Sequence, residues 1–280
     1  MKALEIKNLT KSYPGFTLDG LNLTLPNGCI LGLIGENGAG KSTTIKLILD
    51  MIHKDSGSIT IFGKDNTDRI HLTKEEIGVV LDEVGIPECL TVEQVAKVMR
   101  HTFRNWDQAE FDRLVQKLSL PEKKQFKDFS RGMKMKLGIA IALSHHSKLL
   151  ILDEATSGLD PVVRDEVVEM FSDFTRDENH SILISSHIVS DLEKLCDYVA
   201  FLHKGKLLLC EEKDRLLAEY GLVHCTAEEL SMLPQSAIKH QKSNPYGVEA
   251  MVLRSALPEG TAVSPISMEE LFVFMVKEAR

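Results

Sequence analysis

Residues 35–43 read Gly35-Glu36-Asn37-Gly38-Ala39-Gly40-Lys41-Ser42-Thr43, between the apolar run Ile30-Leu31-Gly32-Leu33-Ile34 and a helix-compatible segment that begins at Thr44. The order is strand, glycine loop, helix, and the loop has the spacing G-x-x-x-x-G-K-S. Its glycines permit backbone angles that a side chain would block, so successive N–H groups can turn towards phosphate oxygens. The helix that follows presents unpaired N–H groups and a positive dipole end to the same anion. These features predict a phosphate-binding loop rather than a glycine-rich turn with an incidental lysine.

Two side chains of this loop have predicted roles in binding a nucleotide. Lys41 would reach the β- and γ-phosphates, and Ser42 would offer its hydroxyl to Mg²⁺. The other loop positions predicted to contact the nucleotide are Gly35, Asn37, Gly38, Ala39, Gly40 and Thr43.

The composition is that of an ordinary globular protein. The 280 residues suffice for one large domain and a smaller one, and 43% hydrophobic and 26% charged residues are near globular averages. The net charge of −8 argues against nucleic acid as the main partner, because binding its backbone requires a basic face. The five cysteines are odd in number and form no C-x-x-C pair, which indicates a reducing cytoplasm and neither a disulfide framework nor a zinc site.

The sequence predicts no membrane crossing of its own. The N-terminus lacks the apolar region of a signal peptide, and no run approaches the roughly 18 apolar residues that a spanning helix needs. If the protein works at a membrane, another chain must provide the crossing.

The hydrophobic pattern changes along the chain and predicts an α/β fold. Alternating residues at 3–9 and 16–25 predict short antiparallel strands. Continuous apolar strands at 148–153 and 181–186, with a helix between them, have the βαβ order of a parallel sheet.

Two further regions have a different pattern. From Thr91, which begins a capping box, the pattern is helical, and one helix is predicted from Arg131 to about Leu143. Beyond Gly221, a turn at 244–247 and a capping box that begins at Ser267 predict a small α+β region.

The first of the two apolar strands delivers adjacent carboxylates at its end. Asp153 would hold Mg²⁺, directly or through water, and Glu154 would act as general base on an attacking water. Neighbouring side chains of a strand point to opposite faces, so distinct roles are geometrically reasonable. The alternative is a solvated strand end, which the phosphate loop upstream disfavours.

A serine motif, Phe129-Ser130-Arg131-Gly132-Met133, lies between the phosphate loop and the acidic strand. Together with the phosphate loop and the adjacent acids, this motif makes residues 1 to 220 resemble the ATP-binding cassette family, the nucleotide-binding subunits of ABC transporters. The resemblance implies an α/β P-loop ATPase core with an N-terminal antiparallel β-subdomain, a helical signature subdomain and a small C-terminal α+β appendage. The implied domains are a nucleotide-binding domain at 1–221, with its helical subdomain at about 84–146, and a C-terminal accessory domain at 222–280.

The resemblance also implies roles for residues outside the phosphate loop. Ser130 and Gly132 would contact the γ-phosphate of ATP bound to a second copy, so that a head-to-tail homodimer encloses two ATP molecules. Tyr13 would stack on adenine, although packing is the alternative for a single tyrosine. Asp160 resembles the loop residue that couples the two sites, and His187 the histidine that touches the γ-phosphate and steadies the glutamate and its water.

Three positions depart from the family pattern. Asp82 replaces a glutamine, and could either join the metal shell or face a partner subunit. Arg131 replaces a glycine of the serine motif, and its guanidinium could bind phosphate, contact an acid across the dimer, or be solvated. Met133 replaces a glutamine. The surrounding basic run is expected to be a solvated face rather than a lipid site.

The chain further resembles the single-cassette subunits of bacterial ABC-2-type exporters, in its motif S-R-G-M-K-M-K, its short helical insert and its C-terminal appendage. That group exports drugs, antimicrobial peptides and amphipathic peptide toxins. The expected function is therefore ATP hydrolysis with Mg²⁺, at the cytoplasmic face of the membrane, to power export through membrane-spanning partner subunits. A soluble ABC-type ATPase acting on nucleic acid or ribosomes is the first alternative, but the chain has one cassette and no basic surface. A regulatory module that binds ATP without hydrolysis is the second, and the presence of both Glu154 and His187 speaks against it.

Overall fold

The structure, a computed structural model, describes residues 2–68, 74–82, 84–245 and 247–278. Within these ranges the strands are β1 (Lys2–Tyr13), β2 (Phe16–Pro26), β3 (Ile30–Gly35), β4 (Ser56–Ile61), β5 (Lys64–Asp65), β6 (Ile77–Val80), β7 (Leu149–Asp153), β8 (Ser181–Ser186), β9 (Tyr198–His203), β10 (Lys206–Glu212), β11 (Tyr220–Cys225), β12 (Ile238–Asn244) and β13 (Gly247–Leu253). The α-helices are α1 (Lys41–Ile48), α2 (Val92–Thr102), α3 (Gln108–Lys117), α4 (Arg131–Leu143), α5 (Pro161–Phe174), α6 (Val189–Leu195), α7 (Lys213–Glu219), α8 (Ala227–Met232) and α9 (Met268–Glu278). None of these helices combines the length and the apolar composition needed to cross a bilayer.

The N-terminal sheet has the strand order β2-β1-β4-β5, and its pairs are antiparallel. Alternate residues such as Leu4, Ile6, Leu23 and Leu25 are buried on its inner face. This is the period-2 pattern on which the two predicted strands rest, and both extend beyond the predicted limits. The hairpin between β1 and β2 places Tyr13 opposite Phe16.

The central sheet has the order β10-β9-β3-β8-β7-β6, in which the five strands from β9 to β6 are parallel and β10 is an antiparallel edge. Strands β3, β7 and β8 are buried at every position, because the sheet is covered on both faces. The carboxyl ends of the parallel strands meet at one edge of the sheet. The loops after β3, β6, β7 and β8 therefore converge there, as the predicted α/β fold requires.

Helices α2, α3 and α4 follow β6 in the chain and precede β7. The capping box predicted at Thr91 is present, since its hydroxyl accepts from the N–H of Gln94 and its own N–H donates to the Gln94 side chain. Helix α4 has the predicted limits, and the Ser130 hydroxyl caps it by accepting from the N–H of Met133 at 3.3 Å. A separate helical subdomain at 84–146 stays a prediction.

The C-terminal region contains a third sheet, of order β11-β13-β12, together with α9. The capping box predicted at Ser267 is present: its N–H donates to the Glu270 carboxylate at 2.8 Å, and the Glu270 N–H donates to its hydroxyl at 3.2 Å. A connection between β12 and β13 is observed where the turn at 244–247 was predicted, although residue 246 lies outside the described residues. The proposed domain boundary at 221 falls inside β11, and the division stays a proposal.

Candidate active site

The phosphate loop joins β3 to α1 with a backbone that only small residues allow. Gly40, the N-cap of α1, has a φ of 114°, and a Cβ there would lie 2.9 Å from the Phe16 ring. At Gly35 a Cβ would lie 2.6 Å from the carbonyl oxygen of Leu202. The N–H of Ala39 donates to the Glu36 carbonyl at 3.0 Å, which closes the loop on itself. The packing of the loop against β2 and β9 accounts for these two glycines.

The Lys41 side chain is buried within this loop. Its ammonium donates to the carbonyl of Gly35 at 2.8 Å and lies 3.4 Å from that of Glu36. It also lies 3.6 Å from the carboxylate of Glu154, at the end of β7. The structure thus holds the cation between the loop and the acidic strand, where the phosphates of a nucleotide are expected.

The adjacent acids at the end of β7 point to different surroundings. Asp153 is buried and accepts a hydrogen bond from the Ser185 hydroxyl at 2.5 Å. Glu154 has a φ of 54°, which is uncommon outside glycine, and its N–H donates to the Ser185 carbonyl at 3.1 Å. This turn directs the Glu154 carboxylate into the cavity described below, so the two acids occupy separate positions.

His187 follows β8 and contacts the same glutamate. Its Nδ1 lies 2.6 Å from Glu154 Oε2. An ionised carboxylate can only accept, so with Glu154 ionised the imidazole carries its hydrogen on Nδ1 and donates it. A carboxylate held by a second side chain in this way is the arrangement expected of an activated catalytic group.

These elements line an open cavity of about 820 Å³, a volume within the range of small-molecule sites. One wall is the phosphate loop, a second is the β1–β2 hairpin, and the third comes from four separate loops. The lining residues are Gly15, Phe16, Asn37, Gly38, Gly40, Lys41, Ser42, Thr43, Asp82, Arg131, Glu154, Ser157 and His187.

Tyr13, the predicted adenine-stacking residue, lies at the end of β1 outside this lining, with 42% of its surface exposed and Lys11 Nζ 5.5 Å from its ring centre. Phe16, across the hairpin, does line the cavity. Phe16 was not among the residues predicted to contact the nucleotide. The available signal was the Pro14-Gly15 turn, which sets Phe16 opposite Tyr13 across the hairpin.

Three other predicted residues lie at helix starts and do not line this cavity. Ser130 is exposed and caps α4, and Asp160 caps α5 by accepting from the N–H of Val163 at 3.1 Å. Gly132 lies against Gly158, where a Cβ would come within 3.4 Å of the carbonyl oxygen. The residues that the family resemblance assigns to a second copy are thus separate from the chain's own cavity.

Two of the departures from the family pattern contact each other. The Arg131 guanidinium forms a hydrogen-bonded ion pair with the Asp82 carboxylate, and both residues line the cavity. Arg131 therefore meets an acid of its own chain, a partner that was not among those considered from the sequence.

The β9–β10 turn supports the phosphate loop from behind. The N–H of Gly205 donates to the Ala39 carbonyl, and the N–H of Asp19 donates to the Gly205 carbonyl, both at 2.9 Å. A Cβ at Gly205 would lie 1.8 Å from the Thr17 carbonyl oxygen. His203, the last residue of β9, is buried, with Nδ1 3.2 Å from a Glu36 carboxylate oxygen. No role was predicted for this turn, although its Lys204-Gly205 pair after an apolar run is a turn signal.

The comparisons with known proteins agree with this geometry. A family model described as ABC transporter matches residues 18–157. The chain is 40% identical over 214 residues to the lantibiotic transport ATP-binding protein SrtF of Streptococcus pyogenes, covering 75% of this chain and 91% of that protein. It is 37% identical over 208 residues to the bacitracin transport ATP-binding protein BcrA of Bacillus licheniformis, covering 73% of this chain and 68% of that protein.

A solved structure described as that of an ATP binding subunit of an ABC transporter aligns with a TM-score of 0.70 and 28% identity, covering 77% of this chain and 92% of that one. It confirms the predicted P-loop ATPase fold. The family match and the two relatives confirm the resemblance drawn from the motifs. The chain therefore belongs to the ABC transporter family, as an ATP-binding subunit that hydrolyses ATP to power transport.

Proposed function

We propose that Glu154 is the general base of ATP hydrolysis and that His187 orients it. The observation that carries this proposal is the 2.6 Å contact between His187 Nδ1 and Glu154 Oε2, inside a cavity whose facing wall is the phosphate loop. A water between Glu154 and the γ-phosphate would give its proton to the carboxylate as its oxygen attacks phosphorus, while the bond from phosphorus to the β–γ bridging oxygen breaks and ADP leaves. The hydrogen bond from His187 would hold the carboxylate in the position that receives this proton.

Lys41 would contact both Glu154 and the phosphates of the nucleotide. Its ammonium faces the Glu154 carboxylate at 3.6 Å. When nucleotide enters, the same ammonium would contact the β- and γ-phosphates, because it already lies between the loop and the acid. The chain would thus exchange one ion pair for a contact with the substrate.

The residue types at the site also fit a magnesium ion. Mg²⁺ prefers hard oxygen ligands, and Ser42, Asp153 and Asp82 supply a hydroxyl and two carboxylates. Ser42 and Asp82 line the same cavity, and Asp153 is fixed at the end of β7 by Ser185. When bound, the ion would neutralise charge that develops on the phosphates.

The site is proposed to be completed by a second copy of the chain. Ser130 is exposed at the start of the thirteen-residue helix α4, where N–H groups and the helix dipole favour an anion. With Gly132, it would contact the γ-phosphate bound to the partner, and Asp160 would lie near the same interface. Two copies would then meet head to tail around two ATP molecules.

We propose further that the subunit powers export through membrane-spanning partner subunits, at the cytoplasmic face of the membrane. The two relatives are named for transport of a lantibiotic and of bacitracin, at 40% and 37% identity. A peptide antibiotic or peptide toxin is therefore the proposed class of exported substrate.

The substitution Glu154→Gln tests the assignment of the base. The variant keeps the shape of the site but cannot take a proton, so ATP turnover should fall by about 10²- to 10⁴-fold while ATP still binds. Phosphate release in single turnover and the affinity for a fluorescent ATP analogue measure the two effects. Glu169→Gln, an exposed position on α5, is the matched control and should keep wild-type turnover. Normal turnover by Glu154→Gln would show that another group is the base.

A further inference from the structure

The cavity contains two cations, and in the structure each faces one acid. Among the described lining residues, Lys41 and Arg131 are the lysine and arginine, and Asp82 and Glu154 are the carboxylates. Lys41 lies 3.6 Å from Glu154, and Arg131 forms its ion pair with Asp82. Each of these two cations is therefore paired with a carboxylate of the same chain, and a nucleotide with its metal ion would compete for both pairs.

The Arg131–Asp82 pair joins segments that belong to different parts of the site. Asp82 lies in the loop after β6, and Arg131 is the first residue of α4, next to the capping Ser130. The stem of Arg131 lies over Gly158, since a Cβ at that glycine would come within 3.3 Å of Arg131 Cδ. One side chain thus connects the proposed metal side of the chain's own site with the helix start proposed to serve a second copy.

We propose that Arg131 is a positioning residue for Asp82: it holds the Asp82 carboxylate and competes for it with the metal ion of a bound Mg²⁺-nucleotide. This inference rests on the proposed role of Asp82 in the metal shell. The physical basis is competition for one carboxylate, because an oxygen that accepts from the guanidinium is less available to a metal ion. Both side chains are about half exposed, so the pair is weak enough to exchange.

Because Arg131 and Mg²⁺ compete for Asp82, the loss of Arg131 should change how strongly nucleotide affinity depends on Mg²⁺. Without its arginine, Asp82 is a free carboxylate that attracts Mg²⁺ and repels metal-free nucleotide. The quantity to measure is the ratio of affinities for a fluorescent, non-hydrolysable ATP analogue with Mg²⁺ and with a chelator present. Hydrolysis does not enter this measurement.

The experiment is a double-substitution cycle on the full chain. The proteins are wild type, Arg131→Gln, Asp82→Asn and the double variant, each first shown by thermal unfolding to be folded. Arg131→Gln should raise the ratio by about two- to five-fold, the range that a half-exposed ion pair supports. In the Asp82→Asn background the same change should leave the ratio unaltered.

A matched control is available on the surface of the chain. Arg113 forms an ion pair with Glu110 on α3, with a side chain of similar exposure to that of Arg131. Arg113→Gln should leave the ratio at its wild-type value. Arg131→Lys, which keeps the charge but not the guanidinium fork, should lie between wild type and Arg131→Gln.

Three results would overturn the inference. An unchanged ratio in Arg131→Gln, with a clear Mg²⁺ effect in wild type, would remove the positioning role while leaving the metal role of Asp82 intact. An equal change in both backgrounds would mean that Arg131 contacts the nucleotide itself. If Asp82→Asn kept the full wild-type ratio, the proposed metal role of Asp82 would fail, and this inference with it.

Discussion

The local backbone sets the positions of three side chains in the site, those of Lys41, Glu154 and His187. The lysine is held by carbonyl groups of its own loop, the glutamate is turned into the cavity by its left-handed backbone, and the histidine follows the next strand. Sequence alone could predict these three, because each follows a motif or strand whose end is readable. It could not predict their mutual distances, which depend on the register between β3, β7 and β8.

The contact between Asp82 and Arg131, in contrast, could not be predicted from the sequence. Each was recognised in the sequence as a departure, but 49 positions separate them and no local pattern links them. Their contact depends on how the loop after β6 and the start of α4 pack in three dimensions. Phe16 is a similar case, since its place in the cavity follows from the hairpin turn and not from its own residue type.

His145 offers a residue-level test of the packing that follows α4. Its ring is buried, stacks on Phe103 at 4.0 Å, and has Nδ1 3.1 Å from the Glu75 carbonyl. Burial lowers the pKa of His145 below its ordinary value of 6.5. The unfolded chain therefore binds this proton more readily, and the free energy of unfolding should decrease as the pH falls through that value.

The measurement is urea unfolding at pH 7.5 and pH 5.5. The His145→Gln variant should lose less stability between these two values than the wild type does, because it lacks the group that titrates on unfolding. His53→Gln is the control, since the His53 side chain is 93% exposed. A pH dependence of His145→Gln equal to that of the wild type would argue against the contribution of this buried ring.

At the scale of elements, the C-terminal helix α9 packs on α6, the helix that follows His187. The N–H of Met268 donates to the Glu193 carboxylate on α6 at 3.2 Å, and Phe272 packs edge-on against Phe201 of β9 at 5.2 Å. Helix α6 begins two residues after His187. The C-terminal region therefore shares a hydrophobic core with the ATPase sheet.

The substitution Leu271→Ala should measure the strength of this packing. Leu271 is fully buried in α9, so its truncation should lower the free energy of unfolding by about 2–5 kcal/mol. Val273→Ala, on the same helix at 42% exposure, should change it by less than about 0.5 kcal/mol. Chemical denaturation gives both values. Equal effects for the two variants would show that α9 is not anchored by its buried face.

Helix α4 and strand β8 have their predicted limits, 131–143 and 181–186. The capping box predicted at Ser267 precedes α9, for which no limits were predicted. No limits were predicted for the segment from β9 to α8. There, short apolar runs fit strand or helix equally well, and only their pairing in the sheets decides between the two.

At the scale of the whole molecule, the proposed dimer is the feature most open to test. The hydrolysis-deficient Glu154→Gln chain should dimerise when Mg²⁺ and ATP are added, because bound ATP bridges the copies and is not consumed. Adding Ser130→Arg should keep the protein monomeric, since the new side chain occupies the space proposed for the partner's phosphate. Analytical ultracentrifugation measures the mass, and a fluorescent ATP analogue measures binding.

The comparison variant is Ser231→Arg, at an exposed position of α8 outside the proposed interface, which should still dimerise. The Ser130→Arg chain should bind nucleotide as before, because Ser130 does not line the chain's own cavity. Dimers that form equally well with and without this change would place the contact surface elsewhere.

A substitution at Gly205, which lies outside the cavity lining, is expected to change the affinity for ATP. Its backbone touches the phosphate loop on one side and β2 on the other, and its φ of 81° and the 1.8 Å approach to Thr17 leave no room for a methyl group. Even the methyl group of an alanine would clash with β2, and we expect this clash to move the phosphate loop away from the hairpin that carries Phe16. A chain with this substitution would bind nucleotide poorly, although every residue that contacts the nucleotide would be unchanged.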